Sequence, residues 1–489
     1  MALTIHQEPL FDVVHSGEKI IFTLKDLVLV TNNVKVKYIA RVYVGTDEAS
    51  LGTTSNLGAS TLVATLKTNP NSSGVGIFDL SPILDNYVSP DFLGGIEHNL
   101  GGAGFSTYKN TGFDTKEHSI HVIDNYAQNQ NSLRYFRVIF NTESAVNNAS
   151  DVVEQSNYKT SDTILMFNAF LDHDEILRED SGNYGYPLSY NGWIMNGNTD
   201  KFLTNAPPTK QYIRENDYQT IAFFNNLKSG ETPSNYNIGT AGASLNSINN
   251  IKIKYYYNGA QTGATITRNL TGNGGVYAGQ TITDSNMKLT YFGCGTANQE
   301  NAGITIPTNW DYYTIQTFDD GGGACSQEYY FYKQTDDCKG FETIRLCWLN
   351  QFGVWDYYNF TKRNVRKFSK ETVSFQTQEG TWNGDKFKLY GYSGGKRVFK
   401  NTATELITLN TDFISDEEAI WLEELFISNN VFIIKQNSQD FGNQGITRKY
   451  IEPVIVASEE MTRKSTANDG KVQYTLVISK SKNRRTQRT

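Results

Sequence analysis

The chain has 489 residues, 13% aromatic and 19% charged, with 44 Lys and Arg against 51 Asp and Glu for a net charge of -7. That length exceeds one hydrophobic core and calls for several domains. The mild charge excludes a chain acting as a whole as a polycation on nucleic acid, and 29 Tyr and 27 Phe favour pleated β-structure over long helical bundles. No run approaches the ~18 apolar residues that span a bilayer, and MALTIHQEPLFDVV lacks the basic and apolar regions of an export signal, so folding in a cytoplasm is expected.

From the N-terminus, IIFTLKDLVLV (20–30) and VKVKYIARVYVG (34–45) read as strands, the second with clear period-two alternation. TLVATLK (61–67) supplies a third, and Ser81-Pro82 reads as a cap followed by proline at the first helical position of a short helix. GGIEHNLGGAGFSTYKNTG (94–112) opens a Gly-rich insertion reaching residue 125, and ordered loops of such length are usually functional or interfacial. LRYFRVIFN (133–141), TILMFNAFL (163–171) and YQTIAFFN (218–225) complete a β-sandwich region over 1–226, followed by a polar linker at 227–247.

INNIKIKYYYNG (248–259), MKLTYFGCG, WDYYTIQTF and EYYFYK lead to the hairpin IRLCWLNQFGVWDYYNF (344–360). Strands at ~8 to 12-residue spacing predict an immunoglobulin or fibronectin-like sandwich over 248–360. In the hairpin, Ile344, Leu346 and Trp348 take one face and Cys347 and Leu349 the other, so the first strand should be central. Asn350 to Gly353 makes the turn, with Gly353 free to take φ > 0. Residues 361–489 read as a C-terminal β-domain with one packed helix at 416–428. Ser415 and Glu418 have capping-box spacing, and Ala419, Leu422, Leu425 and Phe426 form the apolar stripe. Strands follow at 431–435, 450–458 and 472–480, then a basic tail. The fold class is mainly β and multi-domain.

No catalytic, cofactor or metal site is expected. Cys294, Cys325, Cys338 and Cys347 form no C-x-x-C pair and read as small buried hydrophobes. Asp172 to Glu175 with His118 and His121 offers metal-ligand residue types, but charged residues ending a strand ordinarily meet solvent. FDDGGGACS (318–326) and GYSGGKR (391–397) lack phosphate-loop spacing and read as turns. The clusters Lys362, Arg363, Arg366, Lys367 and Lys480, Lys482, Arg484, Arg485, Arg488 either dock on an acidic neighbour or on phosphates, or are solvated charge and a disordered end. The runs YYYN, DYYT, YYFY and DYYN serve a core or interface better than a sugar platform, and alternation turns half of each inward. Trp355, Tyr357 and Tyr358 on the hairpin's return strand join the basic residues as interface candidates.

LNQFGVWDYYNF, KTNPNSSGVGIFDLSPIL, and WLEELFISNNVFI followed by YIEPVIVAS together resemble virion structural proteins of tailed phages of Bacteroidetes, including crAss-like phages. The resemblance implies a non-enzymatic tail or neck component, a connector, hub or ring built of several copies, in the virion and in the host cytoplasm during assembly. Its implied partners are further copies and other tail, neck and portal proteins, with no membrane in the assembled state and no direct DNA contact. The alternative is a receptor- or carbohydrate-binding tail protein using aromatic loops, for which Trp193 and Trp382 are the test residues.

Overall fold

The computed structural model describes residues 3–9, 13–46, 51, 61–91, 126–129, 131–171, 193, 195, 197–224, 248–270, 288–319, 321–335, 341–434, 451–462 and 472–485. The 94–112 stretch, Asp172 to Glu175, His118, His121, Cys338, the 227–247 linker and Arg488 lie outside them. The protein is mainly β, with several sheets and few, short helices. The described residues form two compact units: one of residues up to 334 together with 349–356, the other of residues from 335 to 348 and those described from 357 onwards.

Among the described residues of the first unit, two hydrophobic cores stand out. In one, Thr4–Gln7, Ile21–Lys25 and Val75–Asp79 form a three-stranded sheet, and Val13–His15, Ile164–Phe167, Leu133–Ala145, Val34–Gly45 and Thr61–Thr68 run in that order through a larger one. The two sheets share Phe22, Leu24, Tyr38, Val42, Phe78, Phe136, Phe140 and Met166. The expected strand over 20–30 stops at Lys25. The Asp26 side chain accepts the Leu29 N–H at 3.0 Å and starts the helix Leu27–Asn32, so local capping overrides a β-branched run. The Asp26 N–H in turn donates to the Tyr38 hydroxyl, which donates to Gly74 O. Ser81 is not a cap but the first residue of the helix Ser81–Leu84; the Asp79 carboxylate accepts from both its N–H and its hydroxyl.

On the larger sheet Arg41 binds Glu154 bidentately, at 2.7 and 2.8 Å. That guanidinium holds the Glu154 carboxyl below its ordinary range. A carboxylate whose folded pKa is depressed contributes stability that is present above its unfolded pKa and is lost as pH falls through the folded value. Between about pH 5 and about pH 3 the wild type should therefore lose more melting temperature than Glu154→Gln, which has no carboxylate to titrate. Equal acid slopes in thermal melts of the two proteins would contradict this.

The second core lies under the five-stranded sheet Gln211–Ile213, Tyr329–Lys333, Tyr312–Phe318, Asn250–Tyr257, Ala260–Asn269 and the three-stranded sheet Thr220–Phe224, Leu289–Gly293, Tyr126–Gln128. Phe202, Ile221, Phe223, Ile251, Ile253, Tyr255, Trp310, Tyr313, Tyr329 and Phe331 fill it. Two expectations are corrected here. Thr220–Phe224 does not close the first sandwich but pairs antiparallel with Leu289–Gly293. Leu289–Gly293 pairs on its other side with Tyr126–Gln128 rather than with the strands beside it in sequence. Such pairings join strands separated by long connections, and periodicity carries no information on partner or register across them.

In the second unit one sheet runs Trp355–Phe360, Ile344–Leu349, Val431–Ile434, Ile451–Val456, Thr475–Lys480, Gly395–Asn410, Val365–Thr377. Ile344–Leu349 is central, as its two apolar faces require, and Arg345 to Trp348 pair with Ile434 to Val431. The expected boundary at 360 thus falls inside a sheet. The helix Asp416–Ile427 has the full capping box: the Ser415 hydroxyl accepts the Glu418 N–H, and the Glu418 carboxylate accepts the Ser415 N–H. It buries Ala419, Leu422 and Leu425 as expected, together with Trp421, while Phe426 is half-buried. Trp348 is fully buried, with its ring centroid 5.2 Å from that of Trp421. Cys294, Cys325 and Cys347 are buried thiols outside any disulfide. Burial raises the Cys347 thiol, and raises Cys325 to about 11, so both stay protonated near neutrality.

The hairpin's turn, 349–356, groups with the first unit. Asn350 organises it: Oδ1 accepts the N–H groups of Phe352 and Val354, and Nδ2 donates to Leu203 O and Asp356 Oδ2. Asp356, 5% exposed, also accepts from the Thr204 hydroxyl at 2.7 Å. Gln351 O takes the Phe170 N–H, and Gly353 has φ 72°.

Candidate interaction surfaces

The second unit carries a two-stranded arm. Val365–Thr377 and Gly395–Asn410 pair antiparallel from Val365↔Thr408 to Thr377↔Gly395, with one irregularity at Val373/Ser374. Its sequence dictates exposure. In VRKFSKETVSFQT, Lys367, Ser369 and Glu371 alternate with Arg366, Lys370 and Thr372, so neither face is apolar and neither can join a core. Apart from Thr377, every residue of that strand is exposed. The base is held because Leu406–Asn410 pairs with Thr475–Ser479, and Thr402 and Ala403 with Arg485 and Arg484. Beyond residue 402, among the described residues, the arm continues as two strands alone for roughly 20 Å before its tip.

The tip, 378–394, is a built structure. Thr381 and Lys388 exchange backbone and side-chain hydrogen bonds, with the Thr381 N–H donating to Lys388 O and the Lys388 N–H to the Thr381 hydroxyl. The Trp382 indole N–H donates to Glu379 O, and its ring meets Phe387 edge-on at 5.6 Å. Gly380 (φ 71°) lies so close to the Phe387 ring that no side chain fits. Tyr390 and Tyr392 stack at 5.4 Å. On this frame Trp382, Leu389 and Tyr392 are 71%, 70% and 75% exposed and Phe387 55%. Monomers rarely hold so many large apolar side chains in water at one place.

The first unit shows an outward tyrosine row. Alternation divides the tyrosine runs as expected: Tyr255, Tyr313 and Tyr329 go into the core, while Tyr256, Tyr312, Tyr330 and Tyr332 are half-buried on the opposite face. Tyr256 stacks on Tyr312 at 4.8 Å, Tyr312 meets Tyr332 at 5.2 Å, and Tyr332 meets Tyr212 at 6.3 Å. Burial first and the neighbouring Glu328 carboxylate next push the Tyr330 hydroxyl up to about 12.

The residues singled out from sequence are scattered. Trp355 and Tyr357 are 2% and 4% exposed, with the Arg345 guanidinium over the Tyr357 ring, and so present no platform. Tyr358 is half-buried, its ring edge-on to Trp421. Lys362 pairs with Asp412 at 2.7 Å. Arg366 pairs with Glu342 and with the buried Glu405, which also holds Lys480. Arg363, Lys367 and Lys482 are exposed, and Arg484 and Arg485 extend the sheet through their backbone. Trp193 packs against Phe352 at 5.1 Å. Sequence reasoning misses Phe387, Leu389, Tyr390 and Tyr392, whose signal is TWNGDKFKLYGYSGG set between two runs that lack an apolar face. Among the described residues no group of three His, Cys, Asp or Glu side chains is placed to hold a metal, and no helix is long and apolar enough to cross a membrane.

No family model matches the chain, and no curated protein does. Several solved structures show a likeness to the chain, three of them as follows. The virion of a native gene transfer agent particle aligns over 27% of this chain and 89% of its own, at 17% identity and TM-score 0.14. The tail of an empty gene transfer agent particle covers 29% and 96%, at 17% identity and TM-score 0.16. Salmonella alpha-2-macroglobulin reacted with methylamine covers 97% of this chain and 23% of its own, at 9% identity and TM-score 0.18. Scores of this size do not amount to a shared fold.

Proposed function

We propose that the protein is a structural component of a tailed-phage virion, placed in the tail or neck as a ring of several copies. The observation that carries this is the arm: a two-stranded, aromatic-tipped extension whose exposed surface suits burial against another protein. The virion setting is supported by the resemblance carried by LNQFGVWDYYNF, KTNPNSSGVGIFDLSPIL and WLEELFISNNVFI. The arm and the outward tyrosines have the composition of interface anchors, since Trp and Tyr dominate binding hot spots. The test is gradient purification of particles from producing cells. The chain should co-sediment with capsid proteins, and gold-labelled antibody should mark the tail or neck. Recovery entirely in the soluble fraction would end the proposal.

Glycan binding is the alternative, favoured by one observation, the row Tyr256, Tyr312, Tyr332, Tyr212 on an outer sheet face. It requires hits on a glycan array that Tyr312→Ala abolishes; an array without hits removes it.

A further inference from the structure

Val365–Thr377 is the last strand of its sheet: it pairs with Gly395–Asn410 on one side, and among the described residues no strand pairs with the other. Alternate backbone N–H and C=O groups therefore point along the sheet into water. Two strands that bury no face between them are marginal by themselves, and such an edge is a template for a further strand.

The edge's own sequence specifies which strand. Two copies of one edge strand related by a two-fold axis run antiparallel and set residues of the same face opposite one another, so each register is centred on a single residue. Centring on Lys367, Lys370 or Glu371 puts a charge against its own copy, and centring on Phe368 puts Arg366 against Lys370. Centring on Ser369 sets Lys367 opposite Glu371 and Val365 opposite Val373, each pair occurring twice by symmetry, with Lys370 opposite Phe368. No other centre along the strand joins opposite charges. Arg366 is already paired within its own chain, to Glu342 and Glu405. Lys367, Ser369 and Glu371 are exposed, and Val365 and Val373 are each 49% exposed, so the matching groups are open to a partner.

We infer that the arms of two copies join edge to edge, Val365–Thr377 pairing antiparallel with its own copy about Ser369. The inference rests on the multi-copy reading above and specifies its contact. Lysines ordinarily guard an edge against pairing, but here they select the register, because every other alignment loses both ion pairs. In this alignment Thr377 reaches the level of Thr361 of the other copy. Each tip then passes the foot of the other arm and seats Trp382, Leu389 and Tyr392 on that copy's second unit. The contact is isologous and yields a pair, so a ring assembled from such pairs holds an even number of copies.

The experiment uses the full chain. On mild oxidation with copper phenanthroline, Ser369→Cys should give a covalent dimer above the wild-type background, since the two Ser369 positions face each other. Thr372→Cys should not, because its own copy stands six residues, roughly 20 Å, along the strand. In sedimentation, self-association should weaken at least tenfold in Lys367→Glu and in Glu371→Lys and return in Lys367→Glu/Glu371→Lys, with unchanged circular dichroism because both side chains are exposed. Association untouched by either single reversal, or a Thr372→Cys dimer as abundant as that of Ser369→Cys, would overturn the edge contact and leave the multi-copy reading standing. A wild type that stays monomeric at all concentrations would end both. Arm-dependent pelleting with anionic phosphatidylserine vesicles in place of self-association would overturn the choice of occupant.

Discussion

Trp348→Ala should lower the stability of the second unit by about 3–5 kcal/mol, the range for deleting a large aromatic side chain from a core. Trp348 is fully buried on a central strand, with neighbours on both sides in the sheet and the helix residue Trp421 against its ring. Its removal leaves a void that the paired backbone of Arg345 to Trp348 and Val431 to Ile434 cannot collapse to fill. Lys362→Ala and Arg363→Ala provide the contrast. Lys362 makes a partly exposed ion pair with Asp412 and the Arg363 side chain is exposed, so each should change stability by less than about 1 kcal/mol. Urea unfolding followed at the second unit's transition measures all three. Similar losses for Trp348→Ala and Lys362→Ala would refute the placement of Trp348 in the core.

Gly353→Ala should cost the first unit roughly 2–4 kcal/mol, through two separable effects. The positive φ alone disfavours a β-carbon by about 1 kcal/mol. The larger effect is steric: a Cβ on Gly353 would overlap the backbone carbonyl oxygen of Asn168, and a main-chain atom in a hydrogen-bonded turn cannot swing aside as a side chain can. Gly259 isolates the first effect. It has a similar φ, 78°, in the same unit, and a Cβ there meets nothing within 4 Å. Gly259→Ala should therefore lose only the conformational part. Equal losses in thermal or urea unfolding would mean that the close approach at Asn168 does not exist.

Elements set by local chemistry were legible in the sequence. The capping box at Ser415 and Glu418, the turn at Asn350 to Gly353, and the inward and outward halves of the tyrosine runs all follow from neighbouring residues. The strand Val34–Gly45 follows from its alternation in the same way. Strand partnership was not legible. Thr220–Phe224, Leu289–Gly293 and Tyr126–Gln128 are far apart in sequence and each is too short to specify a mate. At Leu27 a run of β-formers became a helix because a single side chain, Asp26, satisfied the N–H of Leu29. The hairpin at 344–360 is rich in aromatics, yet its tryptophans are buried. A group of exposed aromatics lies instead in 382–392, where Lys, Gly and Asn interrupt them and lower the mean hydropathy that marks a sticky surface.

Multi-copy assembly through the arm is tested most directly by electron microscopy of the purified full chain, with class averaging over a range of concentrations and salt. Class averages with rotational symmetry, lost in Trp382→Ser/Leu389→Ser/Tyr392→Ser, are the expected result. Single chains of one copy at every concentration would contradict it.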